Sequence, residues 1–174
     1  MATNPKITQK QIEETVETIA GSGALPIYKL LKGKIDVNEF DLVEKLNLPI
    51  NQIRNSLYKF DNKGLLASKR KKDRKKGWYI YFWTLDMDKL KRLALSLRED
   101  RINFLQSKLD ELNADEFYVC EHGCSRMDTH DALDSGYICP VCGGMLGLED
   151  SKKVINKIKR EINLRKKELG IKNN

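Results

Sequence analysis

Apolar residues recur at helical spacing from the start of the chain. Ile12, Val16 and Ile19 share one side of a segment that opens at Thr8, a residue able to cap a helix, and stops at Gly21-Ser22-Gly23. A second short helix is predicted over Leu25 to Leu31, with Pro26 in its first turn, where a missing N–H costs nothing. A third follows Asn38 and places Phe40, Val43 and Leu46 on one face. Asn47-Leu48-Pro49 interrupts that pattern, and helix resumes through Ile53, Leu57 and Phe60 to end near Gly64. Two short helices joined by a tight turn, the second carrying polar residues outward, make a helix-turn-helix. After Gly64 the period changes from helical to alternating. Leu65 to Ser68 predicts one strand and Trp78 to Leu85 another, which completes a winged helix.

From Asp86 to Asn113 there is neither Gly nor Pro. Leu90, Leu93 and Leu97 form one stripe there, and Ile102, Leu105, Leu109 and Leu112 another. This predicts one amphipathic helix of roughly 40 Å at 1.5 Å per residue. A last helix, Ser151 to Leu169, aligns Ile155, Ile158, Ile162 and Leu169, with Asp150 or Ser151 as its cap and Gly170 as its stop. The expected fold class is mainly α with small β elements. It divides into a winged helix over residues 1–86, a long linking helix over 87–114, a zinc ribbon over 115–149 and a basic C-terminal helix over 150–174.

Charge changes the picture by its distribution. The 174 residues carry a formal net charge of +7. Lys69 to Lys76 contributes +6, and Ser151 to Leu169 contributes another +6, so the rest of the chain nets −5. Such concentration suits docking onto nucleic acid or an acidic partner surface; two solvated Lys-rich surfaces are the plainer reading. No segment approaches the roughly 18 apolar residues of a membrane span, and no secretory apolar region precedes the first helix, which places the protein in the cytosol as an expectation.

The four cysteines make the most specific chemical signal. Cys120-x3-Cys124 is followed, fourteen residues on, by Cys139-Pro-Val-Cys142-Gly-Gly. Two short pairs each present two sulfurs to one ion, and the intervening residues allow a hairpin that brings the pairs together. In a reducing compartment this arrangement holds a metal more readily than two disulfides. The reading is one structural zinc ion, with every position filled by protein; an iron site with the same ligands and four unligated thiols are the alternatives. Phe117, Tyr118 and Val119 before the first pair, and Tyr137 and Ile138 before the second, read as strands. His122, inside the longer first knuckle, faces solvent or replaces one cysteine. His130 reads as a loop histidine.

Five of the seven residues Gly77-Trp78-Tyr79-Ile80-Tyr81-Phe82-Trp83 are aromatic. In a strand, Trp78, Ile80 and Phe82 face one way, and Tyr79, Tyr81 and Trp83 the other. Beside a basic tip, exposed rings suit single-stranded nucleic acid, where bases stack and cations meet phosphate; burial of both faces is the competing reading. The candidate contact set is Lys69, Arg70, Lys71, Lys72, Arg74, Lys75, Lys76, Tyr79, Tyr81, Phe82 and Trp83. Asn51, Gln52, Arg54, Asn55 and Lys59 of the second helix of the pair would serve a duplex-reading repressor or activator instead, although that set is weakly basic. Two histidines, no phosphate loop and a closed metal site leave no catalytic set, so no enzyme is expected.

The winged helix with its GWYIYFWTL strand, the long helix, the four-cysteine ribbon and the basic last helix together resemble the archaeal transcription factor E family. That family corresponds to the N-terminal half of the alpha subunit of eukaryotic transcription factor IIE. The likeness runs from about Lys6 to Leu169. It implies a factor that joins RNA polymerase, TATA-binding protein and transcription factor B at promoters and helps the strands separate. The winged helix would sit on the polymerase clamp beside the non-template strand, and the ribbon toward the clamp base and stalk. Tyr81, Phe82, Trp83 and the Lys69–Lys76 segment would then face clamp and melted DNA, and the four cysteines would hold zinc. A nucleoid-associated location follows through the transcription machinery; the need for a beta-type partner subunit stays open. The three-residue spacing of the first pair departs from the family pattern.

Overall fold

The structure, a computed structural model, describes residues 7–74 and 77–171. Its contacts separate two compact units, one ending at Leu97 and the other beginning at Arg98. Among the described residues no helix is long and apolar enough to cross a membrane.

In the first unit, Thr8 caps α1 (Gln9–Ala20) as expected. The Gln11 amide donates to its hydroxyl, and the Thr8 amide donates to the Gln11 side chain at 2.8 Å, a reciprocal capping box. Gly21 ends α1 at φ +87, and a short 3-10 turn leads into α2 (Leu25–Leu31). Strand β1 (Val37–Asn38) precedes α3 (Glu39–Leu46), which starts where the Asn38 side chain accepts the Phe40 amide at 3.0 Å. Asn47, at φ +50, turns the chain into α4 (Ile50–Asp61). Then come β2 (Leu66–Lys72) and β3 (Tyr79–Leu85), antiparallel, with β1 on the far edge of β3, so the sheet order is β1-β3-β2.

The core forms where these periods converge: Ile12, Val16, Ile27, Tyr28, Leu31, Leu42, Ile53, Leu57, Phe60 and Trp83 are all buried. Two expectations shift. The buried apolar residue of α3 is Leu42, with Phe40 exposed and Val43 and Leu46 half-buried. Apolar positions surround much of this short helix, so spacing alone left its rotation open. The basic run is not a loop: Lys69, Arg70, Lys71 and Lys72 are strand residues of β2, paired through Lys72 and Tyr79 at the far end of the ladder.

Helix α5 (Met87–Ala114) starts at Asp86, whose Oδ1 accepts the amides of Asp88 and Lys89 at 3.1 and 2.9 Å. These amide bonds, the Lys89 bond first, hold the Asp86 carboxyl below its usual pKa. Its first turns add Leu90 to the winged-helix core, with Leu93 packed beside it. Leu97, expected on the same stripe, is exposed.

In the second unit, Ile102, Leu105, Leu109 and Leu112 of α5 are buried, as their spacing implied. The ribbon sheet has β4 (Phe117–Cys120) at its centre, β5 (Arg126–Asp128) on one side and β6 (Leu146–Leu148) on the other. A short helix absent from the sequence reading, α6 (Thr129–Asp134), fills the link between the cysteine pairs and is capped by Asp128. It displaces the strand expected before the second pair. Tyr137 instead turns the chain at φ +59, and Ile138 makes a single bridge to Met145. Helix α7 (Lys152–Glu168) follows; Asp150 accepts the Lys152 amide at 3.2 Å, whereas the Ser151 side chain makes no capping bond. Ile158, Ile162 and Leu169 are buried. Arg101 bridges to Glu161 at 3.2 Å, and Leu112 shares a groove with Val154, so α7 runs antiparallel to the second half of α5.

Candidate functional site

The four cysteines converge. Cys120 ends β4 and Cys124 closes the turn after it, while Cys139 and Cys142 flank the knuckle before β6. Cys120 lies 3.5 Å from Cys124 and 3.4 Å from Cys142, Cys124 lies 3.3 Å from Cys142 and 3.9 Å from Cys139, and all four sulfurs fall within 4.8 Å of one another. Four sulfurs about 2.3 Å from one tetrahedral ion stand roughly 3.8 Å apart. The set therefore fits a single soft metal ion, with no ligand position left over for water.

The knuckle backbone is shaped for sulfur. The His122 amide donates to Cys120 Sγ at 3.4 Å, the amides of Cys142 and Val141 point at Cys139, and that of Gly144 points at Cys142. A side chain at Gly144 would bring its Cβ to 3.2 Å from His122 Nδ1 and 3.4 Å from Cys142 Sγ, so only glycine fits there without displacement. The Ser125 hydroxyl, 3.1 Å from Cys139 Sγ, leads the interactions that bring that thiol down to about 6. Hydrogen bonding to Cys142 and Cys120 pushes Cys124 up to about 12. His122 borders the sulfur set, its Nδ1 3.7 Å from Cys142 and 3.9 Å from Cys120, but the group of ligand atoms that all lie within 4.8 Å of one another is the four cysteines, and the His122 ring is largely exposed. His130 projects from α6, exposed, 3.5 Å from Asp134.

On the wing, register decides which side chains share a face, because directly opposed residues project together. Leu66, Ser68, Arg70 and Lys72 oppose Leu85, Trp83, Tyr81 and Tyr79; Ala67, Lys69 and Lys71 oppose Thr84, Phe82 and Ile80. The first face begins in the core and leaves it toward the tip. Leu85 and Trp83 are buried, Tyr81 is half-buried against Trp83, and Tyr79 is exposed with Arg70 4.9 Å over its ring. The second face is the outer one, where Lys71 stands 5.2 Å over the half-buried Phe82. Both faces near the tip therefore pair a cation with a ring. The turn is closed by the Asp73 amide donating to the Trp78 carbonyl at 2.8 Å, and Arg74 and Trp78 are exposed beside it. Lys75 and Lys76 lie outside the described residues.

Trp83 departs from its expected place in the contact set. At 3% exposure, stacked on Tyr81 and edge-on to Tyr58, it belongs to the core, and its indole Nε1 finds no hydrogen-bond partner among the described residues. Its ring is held by packing alone.

Helix α4 bears on the duplex-reading alternative. Its one arginine, Arg54, points inward: Nε and Nη2 donate to the two oxygens of Glu39 at 3.0 and 2.7 Å, and Glu39 is fully buried. This fork-to-fork pair raises the Arg54 pKa further and commits two of its five N–H donors to Glu39. Lys59 donates to the Ala20 carbonyl at 3.2 Å. What α4 shows to solvent is Asn51, Gln52, Asn55, Tyr58, Lys59 and Asp61, a mainly polar face with one cation and one anion.

Three residues of these sites escaped the sequence reading. Asp36, at φ +50, holds Lys69 at 2.8 Å and the Thr84 hydroxyl at 3.3 Å, fixing the root of the wing. The Lys69 hydrogen bond keeps the Asp36 carboxyl below its usual range. Ser125 was visible only as the residue after Cys124. Arg126 lies 3.6 Å over the Phe117 ring and bridges to Glu149 at 3.0 Å, tying β5 to the end of β6. Only the Ser125 position carries a local signal; the other two depend on pairings distant in sequence.

A winged helix whose cations sit on its wing, with a closed four-sulfur ribbon, defines a nucleic-acid-associated factor built for binding. Residues 10–114 match the family described as the TFIIE alpha subunit, and the chain belongs to that family. It is similar to transcription factor E of Thermococcus kodakarensis, at 30% identity over 168 residues covering 96% of this chain and 91% of that protein. Transcription factor E of Methanococcus maripaludis is 31% identical over 163 residues, 94% of this chain and 91% of the relative, and that of Metallosphaera sedula is 31% identical over 133 residues, 76% of each. The chain is thus a general transcription initiation factor, takes part in the initiation machinery and is not an enzyme.

Proposed function

We propose that this initiation factor acts on RNA polymerase, at its clamp and stalk, in the promoter complex with TATA-binding protein and transcription factor B, and favours separated DNA strands. The observation that carries this reading is the division of charge in the winged helix. Arg70, Lys71 and Lys72 stand among exposed or half-buried rings on β2 and β3, while Arg54 of α4 is bound to buried Glu39. Unstacked bases can lie on rings such as Tyr79 and Phe82 while phosphates meet the neighbouring cations. A duplex reader would instead need cationic donors along α4, whose one arginine is paired with Glu39 and whose only exposed lysine is Lys59. Trp83 is left out of the contact set.

The mechanism is a population shift. Tenfold tighter binding to the strand-separated complex than to the closed one favours opening tenfold, about 1.4 kcal/mol, without any bond made or broken by the factor. The four cysteines hold one structural zinc ion, which supplies rigidity to the ribbon and no chemistry toward DNA.

The test is permanganate reactivity of promoter thymines in a reconstituted archaeal initiation complex. Adding the protein should raise reactivity near the start site, and Tyr79→Ala with Phe82→Ala, or Arg70→Gln with Lys71→Gln and Lys72→Gln, should reduce that gain. No gain on a weakly melting promoter would refute the reading.

A further inference from the structure

The cations of α7 are not spread around the helix. At about 100° per residue, Lys153, Lys157, Arg160 and Lys167 fall within an arc of roughly 80° directly opposite the buried Ile158, Ile162 and Leu169. Lys152, Lys159 and Lys166 continue the same side, so seven cations occupy about half the circumference with no acidic residue of the helix among them. Both acidic residues of α7 fall just outside this half, Glu168 about 20° and Glu161 about 40° beyond Lys157, and Glu161 is held by Arg101 and Arg165. Among the described residues, none of the seven side chains is in an ion pair; the one carboxylate contact is Asp150 with the Lys152 backbone amide.

This pattern works against the helix itself. Lys153 with Lys157, and Lys157 with Arg160, are like-charge pairs at four- and three-residue spacing, which repel. An ordinary solvated face intersperses glutamates at these distances. The arrangement is relieved by a partner that brings a row of negative charge along the axis. Lys153 to Lys167 spans about 21 Å at 1.5 Å per residue.

We infer that the exposed face of α7 is a second nucleic-acid contact, binding the phosphate backbone of duplex DNA without reading sequence. Composition separates this from an acidic protein partner. Protein interfaces are depleted in lysine and enriched in arginine and aromatic residues. Here six of the seven cations are lysines, none of the exposed residues between them is aromatic, and the central apolar one is Leu164 alone. Lysine serves as a point charge for phosphate, needing no planar fork. The inference does not depend on the wing, so the strand-opening test can fail while this one succeeds.

The experiment is fluorescence anisotropy of the full, zinc-loaded chain on a labelled duplex of arbitrary sequence, titrated from about 50 to 200 mM salt. Each phosphate contact contributes about 0.9 to the slope of log affinity against log salt. The variant K153Q/K157Q/R160Q/K167Q should lower that slope by about 3 to 4 and weaken binding at least about tenfold at the low-salt end. The charge-preserving variant K153R/K157R/K167R should keep the wild-type slope, which separates lost charge from a disturbed helix. An unchanged slope in the glutamine variant would overturn the inference. So would loss of polymerase binding by that variant with the DNA slope intact, because the partner would then be protein.

Discussion

Among the described residues, sixteen buried side chains from α1 through the start of α5 close the winged-helix core, whereas the ribbon's buried cluster has four members, Cys120, Ala132, Cys139 and Leu146. A fully buried Leu, Ile or Phe is worth roughly 1.5–3 kcal/mol, so the first core has ample means of holding itself together. The ribbon cluster has one large aliphatic side chain, and half of it is cysteine. A module of that size needs a staple, and the converging sulfurs are where one fits. The winged helix therefore owes its shape to apolar area and the ribbon to ligand geometry, although the α5 and α7 helices beside the ribbon bury Ile102, Leu105, Leu109, Leu112, Ile158, Ile162 and Leu169. The difference also shows in the backbone, which is regular helix and hairpin in one and a chain of turns aimed at sulfur in the other.

Metal removal should break the comparison most sharply. Structural zinc contributes on the order of 10–16 kcal/mol in small zinc modules. Chelation, or Cys120→Ser, should abolish hydrogen-exchange protection in β4 and β6 while amides of α1 and α4 keep theirs; equal loss in both places would show that the winged helix also depends on the metal. Phe60→Ala should do the reverse. Emptying that buried site costs about 3–5 kcal/mol, which should lower the urea midpoint of the winged helix and leave the metal-to-protein ratio at one.

Arg54→Ala sharpens the contrast within the apolar unit. It strands a buried Glu39 carboxylate. A fully buried pair costs about 3–5 kcal/mol to break, and with the Arg54 side chain a third exposed the expectation is roughly 2 kcal/mol. Chemical denaturation measures it, and Glu39→Gln in the same background should recover part of the loss.

The smallest effect lies in the second unit. Hydrogen bonds from Arg165 and then Arg101 depress the Glu161 pKa. A carboxyl lowered in the folded state stabilises above its unfolded pKa of about 4.3 and loses that contribution as pH falls through the folded value. Glu161→Gln should thus be slightly destabilising at pH 7, and its denaturation curve should converge on that of the unsubstituted protein once the pH falls below the lowered folded pKa. A gap that persists at low pH would mean the effect is packing and not charge.

Much of this architecture was legible locally. The Thr8 and Asn38 caps, the Asn47-Leu48-Pro49 break, the Ile53, Leu57, Phe60 stripe and the buried side of α7 all follow from short-range spacing, as does the sulfur set from paired cysteines. What was misread has a common cause. Strand alternation separated the two wing faces correctly, but it could not say where along one face the core ends. Trp83 and Tyr79 point the same way, and only the helices beneath them make one buried and the other exposed. The rotation of α3 failed for the same reason. Helix α6 was missed because its six residues carry too little periodicity to register.

The sequence by itself determined the order of the main helices and the wing strands, most of their caps and stops, the paired cysteines and the concentration of positive charge, because each depends on residues within a few positions of one another. Only the tertiary structure decided that Arg54 belongs to Glu39, that Asp36 holds Lys69, and that Trp83 lies under Tyr58. Those contacts join residues brought together by packing, and packing is set by the whole core at once.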